Sequence, residues 1–198
     1  MGKSKNSVAT DLGLLTLRLT AGGLMAGHGA QKLFGLFGGY GIDGTAGWLG
    51  SLGLKPPKLW AYLAGGGEFG SGLLLALGLF TPAGAVSVFG PMLMAWNKAH
   101  TGKPVWATAG GPELPLLYMA SAVALGVTGP GRFSVDEALG IDTPTLLVAA
   151  TAAGVIAGVA LGIAAQPESA PAEPTADEAL AAAATGTGDA VPATEVQG

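Results

Sequence analysis

Four ionisable residues set inside apolar stretches are the chemistry this chain offers: Arg18, His28, Lys32 and Glu68. Glu68 is the most demanding of them. It is the one charge in the 22 residues from Leu59 to Phe80. Such a stretch is long enough to cross a bilayer, which takes roughly 20 apolar residues. An acid near the middle of a span costs at least about 2.5 kcal/mol on insertion scales. It therefore needs a partner, a proton or a function.

Simple helix geometry gives it two partners. If the first two apolar segments run antiparallel, Arg18 lies about 10 Å and Glu68 about 18 Å from the same membrane face, at 1.5 Å per residue. His28 lies about 24 Å from that face on the same reckoning, so either residue can meet the acid. Lys32 shares one helical face with Arg18 and Met25, and His28 stands one turn away from it. Two readings stay open. The group is an ion pair that holds helices together, or it is a polar pocket for a quinone headgroup, a proton or a small anion.

Secondary candidates lie further along. Asn97 and His100 close an apolar segment beside Trp96, a place where Trp and His commonly anchor a helix at the membrane interface. His28 and His100 are the two histidines of the chain. Axial haem ligation by the pair is disfavoured, because one is deep in a helix and the other is at an interface. Glu113 opens a helix, where the dipole favours an acid and a capping role suffices. No H-x-x-E or E-x-x-H spacing suggests a metal. Gly65-Gly66-Gly67-Glu68-Phe69-Gly70 formally matches a dinucleotide fingerprint, but it lacks the preceding strand and the later acid. Its glycines serve instead to let a neighbouring helix approach the Glu68 face.

The whole composition is that of a membrane protein. The chain is 49% hydrophobic and 11% charged, with 35 glycines, against about 25% charged residues in soluble domains. Cysteine is absent, which removes disulfides, thiolate metal sites and thiol redox chemistry. No basic patch suggests nucleic acid. Residues 166–198 carry six acids and no Lys or Arg, and their Ala/Pro/Thr-rich composition reads as a disordered tail.

These features give an all-α integral membrane protein: a four-helix transmembrane bundle, a fifth C-terminal transmembrane helix and the acidic tail. A short basic segment covers residues 1–10, the bundle 11–140, the added helix 144–165 and the tail 166–198. The first apolar segment is too long for a signal-peptide core. The five spans are about Leu12 to Phe37, the Glu68 segment, about Ala83 to His100 with a kink at Pro91, a short one from Glu113 to about Val127, and Pro144 to about Ala165. Residues 38–58 read as a loop. Gly154, Gly158 and Gly162 form a small-residue ridge that another helix, or a second copy of the chain, could approach. Basic residues fall on both sides, so the orientation stays open.

Arg18-Leu19 with Gly22, Gly29 and Lys32-Leu33, then Glu68 with Gly72-Leu-Leu-Leu-Ala-Leu-Gly-Leu-Phe-Thr-Pro-Ala83, together resemble the DoxX family of small membrane proteins. Glu113-Leu with Tyr118 and Gly129-Pro-Gly-Arg-Phe-Ser-Val-Asp136 extend the resemblance over about residues 10–140. The resemblance implies a four-helix bundle in the cytoplasmic membrane that serves a membrane-associated oxidoreductase, since relatives are a subunit of a thiosulfate:quinone oxidoreductase or accompany soluble redox enzymes. A quinone is then the implied ligand. Alternatives are a stand-alone quinone-dependent oxidoreductase and a small proton-coupled transporter. The fifth span, the acidic tail and Thr81-Pro82 depart from the family pattern, and no residue demands thiosulfate.

Overall fold

The computed structural model describes residues 6–165. Residues 1–5 and the acidic segment 166–198, for which disorder is expected, lie outside the described residues. Every regular element in the described part is helical, as the sequence predicts. The order is α1 Val8–Phe34, α2 Gly41–Ser51, α3 Pro57–Leu77, α4 Ala83–Ser87, α5 Phe89–Ala95, α6 Glu113–Thr128, α7 Val135–Leu139 and α8 Thr145–Ala164.

The pairing of α1 with α3 is the most extensive in the molecule, and glycine sets it. A Cβ on Gly22 would run into the backbone of Gly72 and Ala76, and one on Gly29 into Phe69 and Gly65. The numbers rise in one helix as they fall in the other, so the two are antiparallel. Only glycine lets the backbones come this close, and the contact is the small-residue packing expected of helices in lipid.

One core joins α1, α3, α4, α5 and α6. It is built from Leu14, Met25, Leu75, Val88, Met92, Tyr118, Ala122 and Leu125. A smaller one under α2 holds Ala46, Leu49, Leu54 and Ala61. The segment 38–58 is thus not a plain loop. Ile42, Thr45 with Ala46, and Leu49 recur at helical spacing, and the helix they form turns Thr45, Ala46 and Leu49 inward. At its edge an exposed Lys58–Asp43 pair closes at 2.9 Å.

The segment read as one third span is two short helices. Pro91 has no N–H to offer the Ser87 carbonyl and its ring crowds that carbonyl, and the helix divides between Ser87 and Phe89. Residues Trp96–His100 then continue as a π-helical turn, a geometry that often marks functional positions. The expected fourth span is 16 residues.

Among the described residues one helix is long and apolar enough by itself to cross a membrane. It is α8, with a mean hydropathy of 2.3 over its most apolar stretch and almost nothing buried within the chain. In α1 and α3 the length is present, but embedded charges and glycines dilute the hydropathy. Arg18, Asp11, Glu68 and Asp136 are buried, while Leu24, Leu117 and Ile156 point outward, more than half exposed.

Candidate functional site

A cavity of about 710 Å³ lies between α1, α3, α5, α6 and α8. Its wall is mostly apolar, with Trp48, Trp60, Leu63, Met92 and Val155 among its residues. Set into that wall are His28, Lys32, Glu68, Lys98, His100 and Tyr118. Three of the four principal candidates are therefore brought together, and one of the secondary ones joins them.

Lys32 is the partner of Glu68. Its Nζ donates to Glu68 Oε2 across the α1–α3 contact. The carboxylate is the more deeply buried member, with 7% of its side chain exposed against 24% for the lysine. A shallower recess of about 540 Å³ lies on the other flank of Lys32, bounded by Gln31, Tyr40, Thr45 and Trp48. Lys32 and Trp48 thus line both spaces.

His28 is oriented by its own helix. Gln31 Nε2 donates to the Phe37 carbonyl at 3.3 Å, which turns its Oε1 toward His28 Nδ1 at 3.1 Å. That nitrogen must therefore carry the proton, leaving Nε2 free. The ring edge meets Tyr118, with centroids 6.3 Å apart and planes at 83°. His100 is held in the same manner: Nδ1 donates to the Gly110 carbonyl at 2.7 Å. The two histidines face one cavity rather than lying apart, as sequence depth alone suggests.

Two polar atoms on this wall have no protein partner. Lys98 Nζ and the Tyr118 hydroxyl are buried and make no hydrogen bond. Buried polar groups are nearly always paired, so such orphans point to a missing occupant. Tyr118 is one of the residues that carry the family resemblance, whereas Lys98 has no signature in the sequence. Lys98 lies within the π-helical turn and lines the cavity from there. Tyr118 reads as part of an apolar helix.

Arg18 does not meet Glu68. Its Nη1 donates to the Ala76 carbonyl at 3.2 Å and its Nη2 to the Phe133 carbonyl at 2.9 Å. It passes under Gly78, which has φ +61°; a Cβ there would strike the guanidinium and Ser134. Around it lies a second polar cluster. Asp136 accepts from Phe80 N and Thr81 N, each at 2.8 Å, and Asp11 accepts from Arg132 N at 3.1 Å. The Asp136 bonds tie the 129–140 segment to the α3–α4 turn, and the Asp11 bond ties it to α1. They satisfy backbone groups, and the guanidinium keeps only its Nε without a hydrogen-bond partner.

Asn97 does not line the cavity. Glu113 accepts from Ala107 N at 2.7 Å, so it fastens the preceding turn rather than facing the cavity. No group of three or more His, Asp or Glu residues that could hold a metal occurs among the described residues. The Gly154, Gly158 and Gly162 ridge faces inward. Gly154 and Gly158 line the cavity with open space before them, and Gly162 packs on Met94 and Trp60. Of the two neighbours the ridge could take, a helix of the same chain or a second copy, the described residues show the first at Gly162 and the chain's own cavity at Gly154 and Gly158.

Fold and site together define a helical membrane protein with an ionisable cavity between its helices. The family model described as DoxX matches residues 13–101, so that segment carries a DoxX domain. The matched segment contains Arg18, His28, Lys32, Glu68, Lys98 and His100; Tyr118 and the whole of α8 lie beyond it. No curated protein and no solved structure matches the chain.

Proposed function

We propose that the chain is a multi-pass protein of the cytoplasmic membrane whose interhelical cavity binds a quinone in support of a membrane-associated oxidoreductase. In this reading α1, α3, the kinked α4–α5 pair and α6 form a four-helix transmembrane bundle, and α8 is a fifth span against it. The observation that carries the reading is the cavity itself. It joins an apolar body to a few polar groups, the composition typical of small-molecule sites. A flat apolar ring with two carbonyl oxygens suits aromatic and methionine walls with isolated donors.

In this reading the chain supplies binding and protons. Reducing a quinone to a quinol takes up two electrons and two protons. The electrons would come from a partner oxidoreductase. In this reading Lys32, Glu68 and His28, which line the cavity together, pass the protons, and the recess beside Lys32 is their route from water. The accessory role rests on the family resemblance.

The test begins with the full chain isolated from its membrane in mild detergent, with bound lipids extracted and analysed. A retained quinone that falls at least tenfold in Glu68→Gln supports the proposal. A quinone-free protein that also fails to bind added decylubiquinone or menadione contradicts it. Co-isolation of soluble redox enzymes supports the accessory role; a solitary protein that moves solute across proteoliposomes contradicts that role.

A further inference from the structure

We infer that the cavity selects an amphiphile with one anionic oxygen in its headgroup, and that Lys98 is the counter-ion. The inference rests on the cavity being a ligand site, but not on the ligand being a quinone. The charges on the wall carry it. Glu68 is the one carboxylate among the residues lining the cavity, and Lys32 already takes it. His28 and His100 each have Nδ1 engaged within the chain. Lys98 remains, with a buried ammonium and no hydrogen-bond partner. The wall therefore holds one cation more than its anions balance.

Charges buried within membrane proteins pair inward or mark a substrate site. A cavity that is apolar elsewhere, with one unmatched cation, complements a ligand that is apolar elsewhere with one anion. Tyr118 strengthens the assignment. The residue is 4% exposed, its hydroxyl has no partner and it lines the same cavity. A phenol donates to an anionic oxygen through a shorter, stronger bond than to a neutral one.

The apolar part of the ligand also has a place. Gly154 and Gly158 present a strip of α8 without side chains, and a Cβ on either would meet nothing within 4 Å. A chain can lie along that strip with its head toward Lys98. Both a hydroxyquinone, ionised at neutral pH, and a fatty-acid carboxylate have this chemistry.

The experiment uses the purified full chain in neutral detergent and reads quenching of Trp48 and Trp60, which line the cavity. Two matched pairs of probes are titrated: 11-(dansylamino)undecanoate against its methyl ester, and a 2-hydroxy-3-alkyl-1,4-naphthoquinone against its 2-methoxy analogue. The anion of at least one pair should bind about tenfold or more tightly than its neutral mate. That preference should vanish in Lys98→Gln, persist in Lys98→Arg and weaken severalfold in Tyr118→Phe. Preference in the first pair alone identifies a carboxylate, and preference in the second a hydroxyquinone.

Equal binding within both pairs overturns the inference and leaves the quinone proposal standing if the naphthoquinones bind. A preference that survives Lys98→Gln overturns it as well. Preference for the carboxylate with no binding of either naphthoquinone upholds the inference and contradicts the quinone proposal. Failure of all four probes overturns both.

Discussion

Lys32 of α1 reaches back along its helix to close an ion pair with Glu68 of α3, and the pair forms part of a cavity wall rather than a sealed core. The two members are not equivalent. Glu68 is the more buried, whereas Lys32 also borders the recess on its other flank.

That asymmetry predicts unequal costs. Lys32→Met strands a buried carboxylate and should lower stability by about 3–5 kcal/mol, the usual cost of breaking a buried pair. Glu68→Gln leaves a lysine that can turn toward the recess, and should cost less. The double variant Lys32→Met/Glu68→Met should recover most of the loss. Thermal unfolding of the three variants in one detergent checks the ranking.

Glycine contacts between α1 and α3 give a paired test. Gly22→Ala places a methyl group inside the α3 backbone and should cost at least about 1–3 kcal/mol, as overpacking does. Its neighbour Gly23 has nothing within 4 Å. Gly23→Ala should be neutral, or stabilise by up to about 1 kcal/mol through helix propensity. Equal destabilisation of both would contradict the close approach.

Asp136 is expected to support the fold without touching the ligand. Asp136→Asn keeps one acceptor oxygen for two backbone donors, Phe80 N and Thr81 N. The stranded donor should cost about 1–3 kcal/mol. Ligand affinity in the folded fraction should stay within about twofold, which equilibrium binding after size-exclusion chromatography measures.

The helical class, the inward-facing charges and the role of the glycines beside Glu68 were all legible in the sequence. Aligning the helix ends sets Arg18 or His28 near Glu68, whereas aligning the glycines sets Lys32 there. Gly22 and Gly29 are spaced as Gly65 and Gly72 are, and matching them antiparallel puts Arg18 opposite Ala76, the carbonyl it takes. Glu68 then falls opposite Ala26, about 9 Å along the axis from Lys32 and about 12 Å from Arg18. The lysine is nearer, and from the other side.

Other features had no local signature. Lys98 lines the cavity from a π-helical turn, and π-helical geometry follows from packing rather than composition. The orphaned hydroxyl of Tyr118 depends on what α1 places opposite it. The inward face of α8 could not be read from Gly154, Gly158 and Gly162, because a small-residue ridge offers the same face to a helix, a second copy or a ligand. Asp136 stands in a family-like motif, but its bonds to the α3–α4 turn join residues more than fifty positions apart.

The central claim is that the cavity between the helices is a quinone site. Its most direct test is a titration of decylubiquinone or menadione against the emission of Trp48 and Trp60, in wild type, Gly158→Leu and Gly23→Leu. Leucine at Gly158 projects into open cavity space, whereas leucine at Gly23 projects from the outer surface of α1. Saturable quenching in wild type and Gly23→Leu, weakened at least tenfold in Gly158→Leu, is the expected result. Quenching that does not saturate, or that Gly158→Leu leaves unchanged while the protein stays folded, would contradict it.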